Sequence, residues 1–328
     1  MNRPSSNDNS RLGSAGFLGD SEAARHVTKL LPRLAASDAI VLLTGETGTG
    51  KSFVAGRIHR LGPRASDVFH TVNCAAIPDP LIESQLFGHE RGAFTGALDS
   101  RQGAFEAAAT GTLFLDEIGE LSPAAQAKLL RVLDERRFER VGSNRSILVR
   151  ARVIAATNRD LPAMVEAGQF RGDLFFRISV VTLCVPPARH RGDDLVLLSR
   201  HILDELAPRA GRCIHGFSSE ALDVIRRHSW PGNVRELRNA IEHAIVVGEC
   251  AYIQPDDFPA SVVASKAEPA SARDPLLVRL PANLVALERL AIRAALRETG
   301  GNRTRAAALL GINRQTLYNK LADGQGPD

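Results

Sequence analysis

Residues 45–52 read GETGTGKS, and that order of residue types can hold a triphosphate. The glycines let backbone N–H groups turn inward around an anion, and the helix that must follow adds its positive dipole end. Gly45, Glu46, Thr47, Gly48, Thr49 and Gly50 form the candidate cradle. Lys51 can reach the terminal phosphates, and the Ser52 hydroxyl can coordinate Mg²⁺. Residues 112–117 read TLFLDE, an apolar run ending in two carboxylates. Asp116 is placed to hold Mg²⁺, and Glu117 to orient and deprotonate an attacking water. Asn73 and Asn158 follow two other apolar runs. An amide at either place positions the water, senses the γ-phosphate, or simply forms a turn. The two motifs together describe an enzyme that hydrolyses a nucleoside triphosphate with Mg²⁺.

Such a site needs strands that end side by side. Residues 39–44 (AIVLLT), 69–73 (FHTVN), 112–116 (TLFLD) and 152–157 (RVIAAT) have strand character. Helical patterns lie between them, at 52–61 and 123–135. Continuous apolar strands alternating with helices predict an α/β fold, a parallel sheet flanked by helices on both faces. After Pro186 and Pro187 the strand signal stops, and residues 195–206, 219–228 and 234–247 read as a small helical subdomain. The expected division is a short N-terminal extension (1–16), an α/β subdomain (17–186), a helical lid (187–260), a linker (261–280) and a C-terminal all-α domain (281–328).

Residues 83–97 read ESQLFGHERGAFTGA. From the residues alone, Gly92, Ala93, Phe94, Thr95, Gly96 and Ala97 make a Gly-flanked loop. Its Phe94 is either an exposed contact anchor or a core aromatic. GAFTGA resembles the signature loop of the bacterial enhancer-binding activators of sigma-54 (RpoN) RNA polymerase. These are AAA+ P-loop ATPases of the nitrogen regulatory protein C family, and the resemblance extends over roughly residues 17–322. It implies that residues 92–97 touch sigma-54 and that the bound nucleotide is ATP. It also implies a ring, most simply a homohexamer, although some relatives work as mixed assemblies.

Further runs resemble the family in order. FRGDLFFRI, residues 170–178, is similar to its arginine-finger segment, with Arg171 and Arg177 as candidates to act on a neighbouring subunit's nucleotide. The alternative is a surface salt bridge, for instance to Asp173. WPGNVREL, residues 230–237, is similar to sensor II, which would bring Arg235 to the nucleotide. Asn73 matches the family's VNCAA segment, where it would pair with Glu117, and Asn158 lies in the ATN of sensor I. PPARHRGDDL, residues 186–195, departs from the family's PPLRERxxDI pattern at Ala188 and His190. Only about 16 residues precede the ATPase, as in the phage-shock activator and the HrpR/HrpS activators, so a separate regulatory protein is expected to act in trans.

Residues 302–322 read NRTRAAALLGINRQTLYNKLA. Asn302 can cap a helix, and Ala307, Gly311 and Leu317 fall where a helix-turn-helix needs a small packing residue, a turn glycine and a core apolar residue. Ala306, Leu310 and Ile312 complete that core. Arg303, Arg305, Arg314, Gln315, Thr316, Tyr318, Asn319 and Lys320 are the candidate DNA contacts. The block resembles the Fis-type domain, which implies double-stranded enhancer DNA as a partner.

Bulk composition excludes more than it assigns. Lys+Arg 41 against Asp+Glu 37 gives a formal +4, too mild to indicate nucleic acid. Yet residues 301–322 carry four basic residues and no acid. Cys74, Cys184, Cys213 and Cys250 form no CxxC pair, which argues against a zinc site or disulfide framework. No apolar run approaches the ~18 residues of a membrane span, and a cytoplasmic location is expected.

Overall fold

The strands of the α/β part, in chain order, are β1 (Val41–Thr44), β2 (Phe69–Asn73), β3 (Thr112–Asp116), β4 (Arg137–Glu139), β5 (Ser146–Leu148), β6 (Arg152–Thr157) and β7 (Val181–Cys184). Five of them pair in parallel in the order β2-β3-β6-β1-β7, while β4 and β5 form a separate antiparallel hairpin. These positions come from a computed structural model. It describes residues 19, 21–94, 97–209 and 213–264, and residues 295, 299, 302–310, 312, 313, 316 and 317.

Strand alternation sends side chains to both faces, and helices bury each face. Leu42, Leu113, Leu115, Val153 and Ala155 share one core with residues of α3 (Asp79–Phe87), α4 (Ala104–Ala107), α5 (Pro123–Glu135), α6 (Leu161–Glu166) and α7 (Gly172–Ile178). Val41, Leu43, Phe114, Ile154 and Ala156 share the other with α1 (Glu22–Ala36) and α2 (Lys51–Leu61). All six residues of the central strand β6 are buried, as a strand covered on both faces must be. In register, Thr44 lies beside Thr157 and Cys184, and Asn73 beside Asp116. The carboxyl ends of the strands therefore finish flush on one edge, where open α/β sheets bind ligands.

Beyond β7 the chain enters a second core built on α8 (Asp194–Leu206), α9 (Ser219–Arg227) and α10 (Asn233–Val247). Trp230 is fully buried there, and its indole N–H donates to the Ile225 carbonyl at 2.8 Å. Ser21 ties the start of the fold to this lid: its backbone N–H donates to the Asp194 carboxylate at 3.0 Å, while its hydroxyl caps α1 at the Ala24 N–H. The edge strand β7 was absent from the sequence expectations, and so were two smaller pairings. One is the β4–β5 hairpin. The other is a two-residue parallel pair inside the lid, β8 (Gly216–Phe217) with β9 (Tyr252–Ile253). Runs of two or three residues carry no readable period.

The chain separates into two compact units, with the division after Ala267. In the second unit one helix, Arg303–Leu309, is described. The Asn302 side chain accepts from the Thr304 and Arg305 N–H groups, both at 3.2 Å. Ala307 and Leu317 are buried with Ala295, and Leu310 and Ile312 pack against them. Asn313 caps the next turn by accepting from the Thr316 N–H at 2.8 Å. The expected extension 1–16, the stretch 265–294, and Arg314, Gln315, Tyr318, Asn319 and Lys320 lie outside the described residues.

Candidate nucleotide-binding site

The loop between β1 and α2 is shaped by glycines that no other residue replaces easily. Gly48 has φ +79°, and a Cβ there would collide with the Gly232 carbonyl oxygen. Gly50 has φ +100° and starts α2 without a side-chain cap, which leaves the first N–H groups of the helix available to an anion. Lys51 is buried at 5% exposure. Its ammonium donates to the Gly45 carbonyl at 2.9 Å and stands 3.6 Å from Glu117. The Ser52 hydroxyl donates to Asp116 Oδ2 at 3.3 Å. Hydroxyl and carboxylate thus converge as an oxygen donor pair, the chemistry that Mg²⁺ prefers.

Glu117 adopts a left-handed conformation, φ +54°, which turns its carboxylate back over the sheet edge. It accepts from the Asn158 N–H at 3.1 Å, and the Asn158 amide donates to the Thr47 hydroxyl at 2.8 Å. Thr47, Lys51, Ser52, Asp116, Glu117 and Asn158 are therefore joined in one connected cluster. Asn73 lies beside Asp116 in the sheet, but its side chain accepts from the Ala75 N–H at 3.0 Å and caps a short turn. Next to it, burial and then the nearby Asp116 charge push the Cys74 thiol up to about 12, so it stays protonated and plays no nucleophilic part.

The lid closes over this edge. Glu46, Thr47, Gly232, Arg235, Glu236 and His243 are among the residues lining a 790 Å³ cleft. The Val234 N–H donates to the Gly48 carbonyl at 2.9 Å. Asn233, fully buried with φ +55°, donates to the Thr47 carbonyl at 3.0 Å and to Glu46 at 3.1 Å. Glu46 also accepts from both terminal nitrogens of Arg189. Those hydrogen bonds, Arg189 first and Asn233 second, lower the Glu46 pKa from 4.5 to about 2. Arg191, 3% exposed, donates to the Thr49 carbonyl at 2.7 Å. Burial pulls its pKa down to about 10, so it remains charged at neutral pH. Sequence reasoning missed the roles of Arg189, Arg191 and Asn233; the available signals were the RHR run that follows the double proline and the WPGNVREL run that holds Asn233.

Both arginine-finger candidates have partners within the chain. Arg171 forms a two-pronged pair with Asp173, at 3.0 and 2.7 Å, with both side chains about half exposed. Arg177 donates to the Leu133 carbonyl at 2.7 Å and stands 3.0 Å from Asp134. Phe176, between them in sequence, is 74% exposed.

The loop at residues 92–97 closes on itself: the Gly92 N–H donates to the Ala97 carbonyl at 2.8 Å. Thr95 and Gly96 lie outside the described residues. Phe94 is 37% exposed, with its ring edge-on to His89 at 5.0 Å. Ala93 lies against Gly142, in the turn of the β4–β5 hairpin, close enough that a Cβ on the glycine would sit 2.8 Å from the Ala93 Cβ. Of the candidate DNA contacts, Arg303 and Arg305 are exposed and Thr316 is half-buried. Among the described residues no helix is long and apolar enough to cross a membrane, and no three or more of His, Cys, Asp and Glu gather as a metal site.

Residues 17–184 match the sigma-54 interaction domain, residues 189–275 the AAA+ ATPase lid domain, and residues 284–323 the bacterial regulatory protein, Fis family. The transcriptional regulatory protein ZraR of Klebsiella oxytoca is 46% identical over 307 residues, covering 94% of this chain and 68% of that protein. The regulatory protein AtoC of Escherichia coli K12 is 46% identical over 311 residues, covering 94% and 67%. Among solved structures, NtrX from Brucella abortus in complex with ADP aligns with a TM-score of 0.71 at 33% identity, covering 93% of this chain and 69% of that one.

Proposed function

This chain belongs to the sigma-54 interaction domain family of AAA+ ATPases, transcription regulators with a Fis-type DNA reader. From that premise we propose how its residues perform the work. ATP binds between the phosphate loop and the lid, its phosphates held by the N–H groups of residues 45–52 and by Lys51. Glu117 orients and deprotonates the attacking water, Asn158 holds the Glu117 carboxylate in place, and Arg235 reaches the phosphates from the lid. Ser52 and Asp116 would hold Mg²⁺, which supplies charge neutralisation at the phosphates. Arg171 and Arg177 exchange their partners within the chain for a neighbouring subunit's nucleotide when the ring, a hexamer in this reading, assembles. Hydrolysis moves Phe94 and Thr95 against sigma-54 and opens the promoter complex. The C-terminal helices, through Arg303, Arg305, Arg314, Gln315, Thr316, Tyr318, Asn319 and Lys320, hold the assembly on duplex enhancer DNA.

The observation that carries this reading is the convergence of Lys51, Ser52, Asp116, Glu117 and Asn158 at one sheet edge. Because the arginines must come from a second copy, ATPase activity per chain is expected to rise steeply with protein concentration. The Thr95→Ala variant is expected to keep that activity and lose open-complex formation on a sigma-54 promoter. Activity independent of concentration, or open complexes formed by Thr95→Ala as by the wild type, would count against it.

A further inference from the structure

The phosphate loop is joined to the lid by an acidic side chain that phosphate binding does not explain. A carboxylate facing an incoming triphosphate repels it. Glu46 avoids this by turning its carboxylate to Arg189 and Asn233. The two partners lie on separate stretches of chain. Arg189 belongs to the turn between β7 and α8, where the sheet hands over to the lid. Asn233 opens α10, the helix that also carries Arg235 in its first turn. Asn233 is committed on every side: its oxygen accepts from the Ala188 N–H at 2.8 Å, and its amide is shared between Glu46 and the Thr47 carbonyl. One carboxylate thus fastens the sheet-to-lid turn and the first turn of α10 together onto the loop that carries the phosphates.

We propose that Glu46 is a positioning residue: it holds the sheet-to-lid turn and the start of α10 in one register on the phosphate loop, and so sets where Arg235 stands over the nucleotide. The proposal rests on the reading of Arg235 as a nucleotide contact. A guanidinium fork against a carboxylate fixes direction as well as distance, which a simple packing contact would not. Catalysis depends on placement finer than an ångström, so a loosened lid costs turnover before it costs binding.

The test is a set of variants of the full chain, measured for ATP turnover and KM, for equilibrium binding of a fluorescent ADP analogue, and for melting temperature. Glu46→Gln and Arg189→Ala are each expected to lower kcat about 10-fold while ADP affinity moves less than about 3-fold. The double variant Glu46→Gln/Arg189→Ala should be no worse than either single change. Adding Glu46→Gln to Arg235→Ala should cause no further loss, because the first change acts through the second residue. If Glu46→Gln lowers the melting temperature, Arg189→Lys serves in its place. It keeps the charge but not the fork, and should show the same kcat loss in a normally stable protein. Wild-type kcat in Glu46→Gln or Arg189→Lys overturns the proposal. So do losses that multiply in Glu46→Gln/Arg235→Ala, and losses that fall wholly on affinity. If Arg235→Ala turns over ATP as the wild type does, the reading of the nucleotide site fails and this inference fails with it. If Arg235→Ala is impaired and Glu46→Gln is not, the inference fails alone.

Discussion

Glu117 shows how much a single backbone angle can decide. Its left-handed conformation brings the carboxylate to the Asn158 N–H and within 3.6 Å of Lys51, where it can polarise water beside the phosphates. The Glu117→Gln variant keeps the shape and loses the base. It is expected to bind ATP with near-normal affinity while kcat falls about 10²–10⁴-fold; turnover within a factor of a few of wild type would remove Glu117 from the mechanism. Glu46 makes a different prediction, in pH. Its pKa is lowered in the fold from 4.5 to about 2. Its ion pair therefore contributes fully above about pH 4.5 and is lost as the pH falls toward 2. Both partners are more than 40% exposed, so the contribution is small, under about 1 kcal/mol. The melting-temperature gap between wild type and Glu46→Gln should be constant from pH 7 to pH 5 and shrink at lower pH. A gap that widens on acidification would contradict the assigned partners.

At the scale of elements, what was legible depended on contiguity. GETGTGKS and TLFLDE are unbroken runs, and each lies on one strand end, so their place at the sheet edge could be read before any fold was known. The strand limits of β2, β3 and β6 matched their apolar runs for the same reason. The contact of Glu46 with Asn233 spans 187 positions and that with Arg189 spans 143, and no local pattern announces such pairs. Asn73 shows the opposite limit. The run VNCAA suggested a pairing with Glu117, but the fold sets Asn73 beside Asp116 and uses its amide on the following turn. The close approach of the phosphate loop and α10 is equally invisible in sequence and is directly testable. In Gly48→Ala the new methyl would run into the Gly232 carbonyl oxygen from a backbone with φ +79°. The left-handed residue alone costs about 1–2 kcal/mol, and the clash pushes the lid off the loop. We expect KM for ATP to rise at least about 10-fold in a protein whose circular dichroism is unchanged; a normal KM would mean that the lid does not need this contact.

At the scale of the whole molecule, the division after Ala267 separates the three apolar cores of the ATPase from the small core around Ala307 and Leu317. Removal of residues 268–328 is expected to leave ATP hydrolysis intact and abolish site-specific DNA binding. Footprinting together with an ATPase assay checks both halves; a retained footprint would relocate the DNA-reading surface to the ATPase. The net +4 does not hint at this division of labour, because the basic residues near the C-terminus are diluted by the balanced charge elsewhere. The strand order carries a consequence of its own. Val41, the first residue of the strand that delivers the phosphate loop, finds its neighbours only at Ile154 and Val181. During synthesis the nucleotide-gripping segment must wait, unpaired on both edges, until its first neighbour, 113 positions further on (Val41 to Ile154), has been made. Such long-range parallel pairing forms slowly and leaves apolar edges exposed meanwhile. A chain cut before Ile154 would hold the whole GETGTGKS motif without either sheet neighbour of its strand, and it is expected not to retain ATP on an affinity resin.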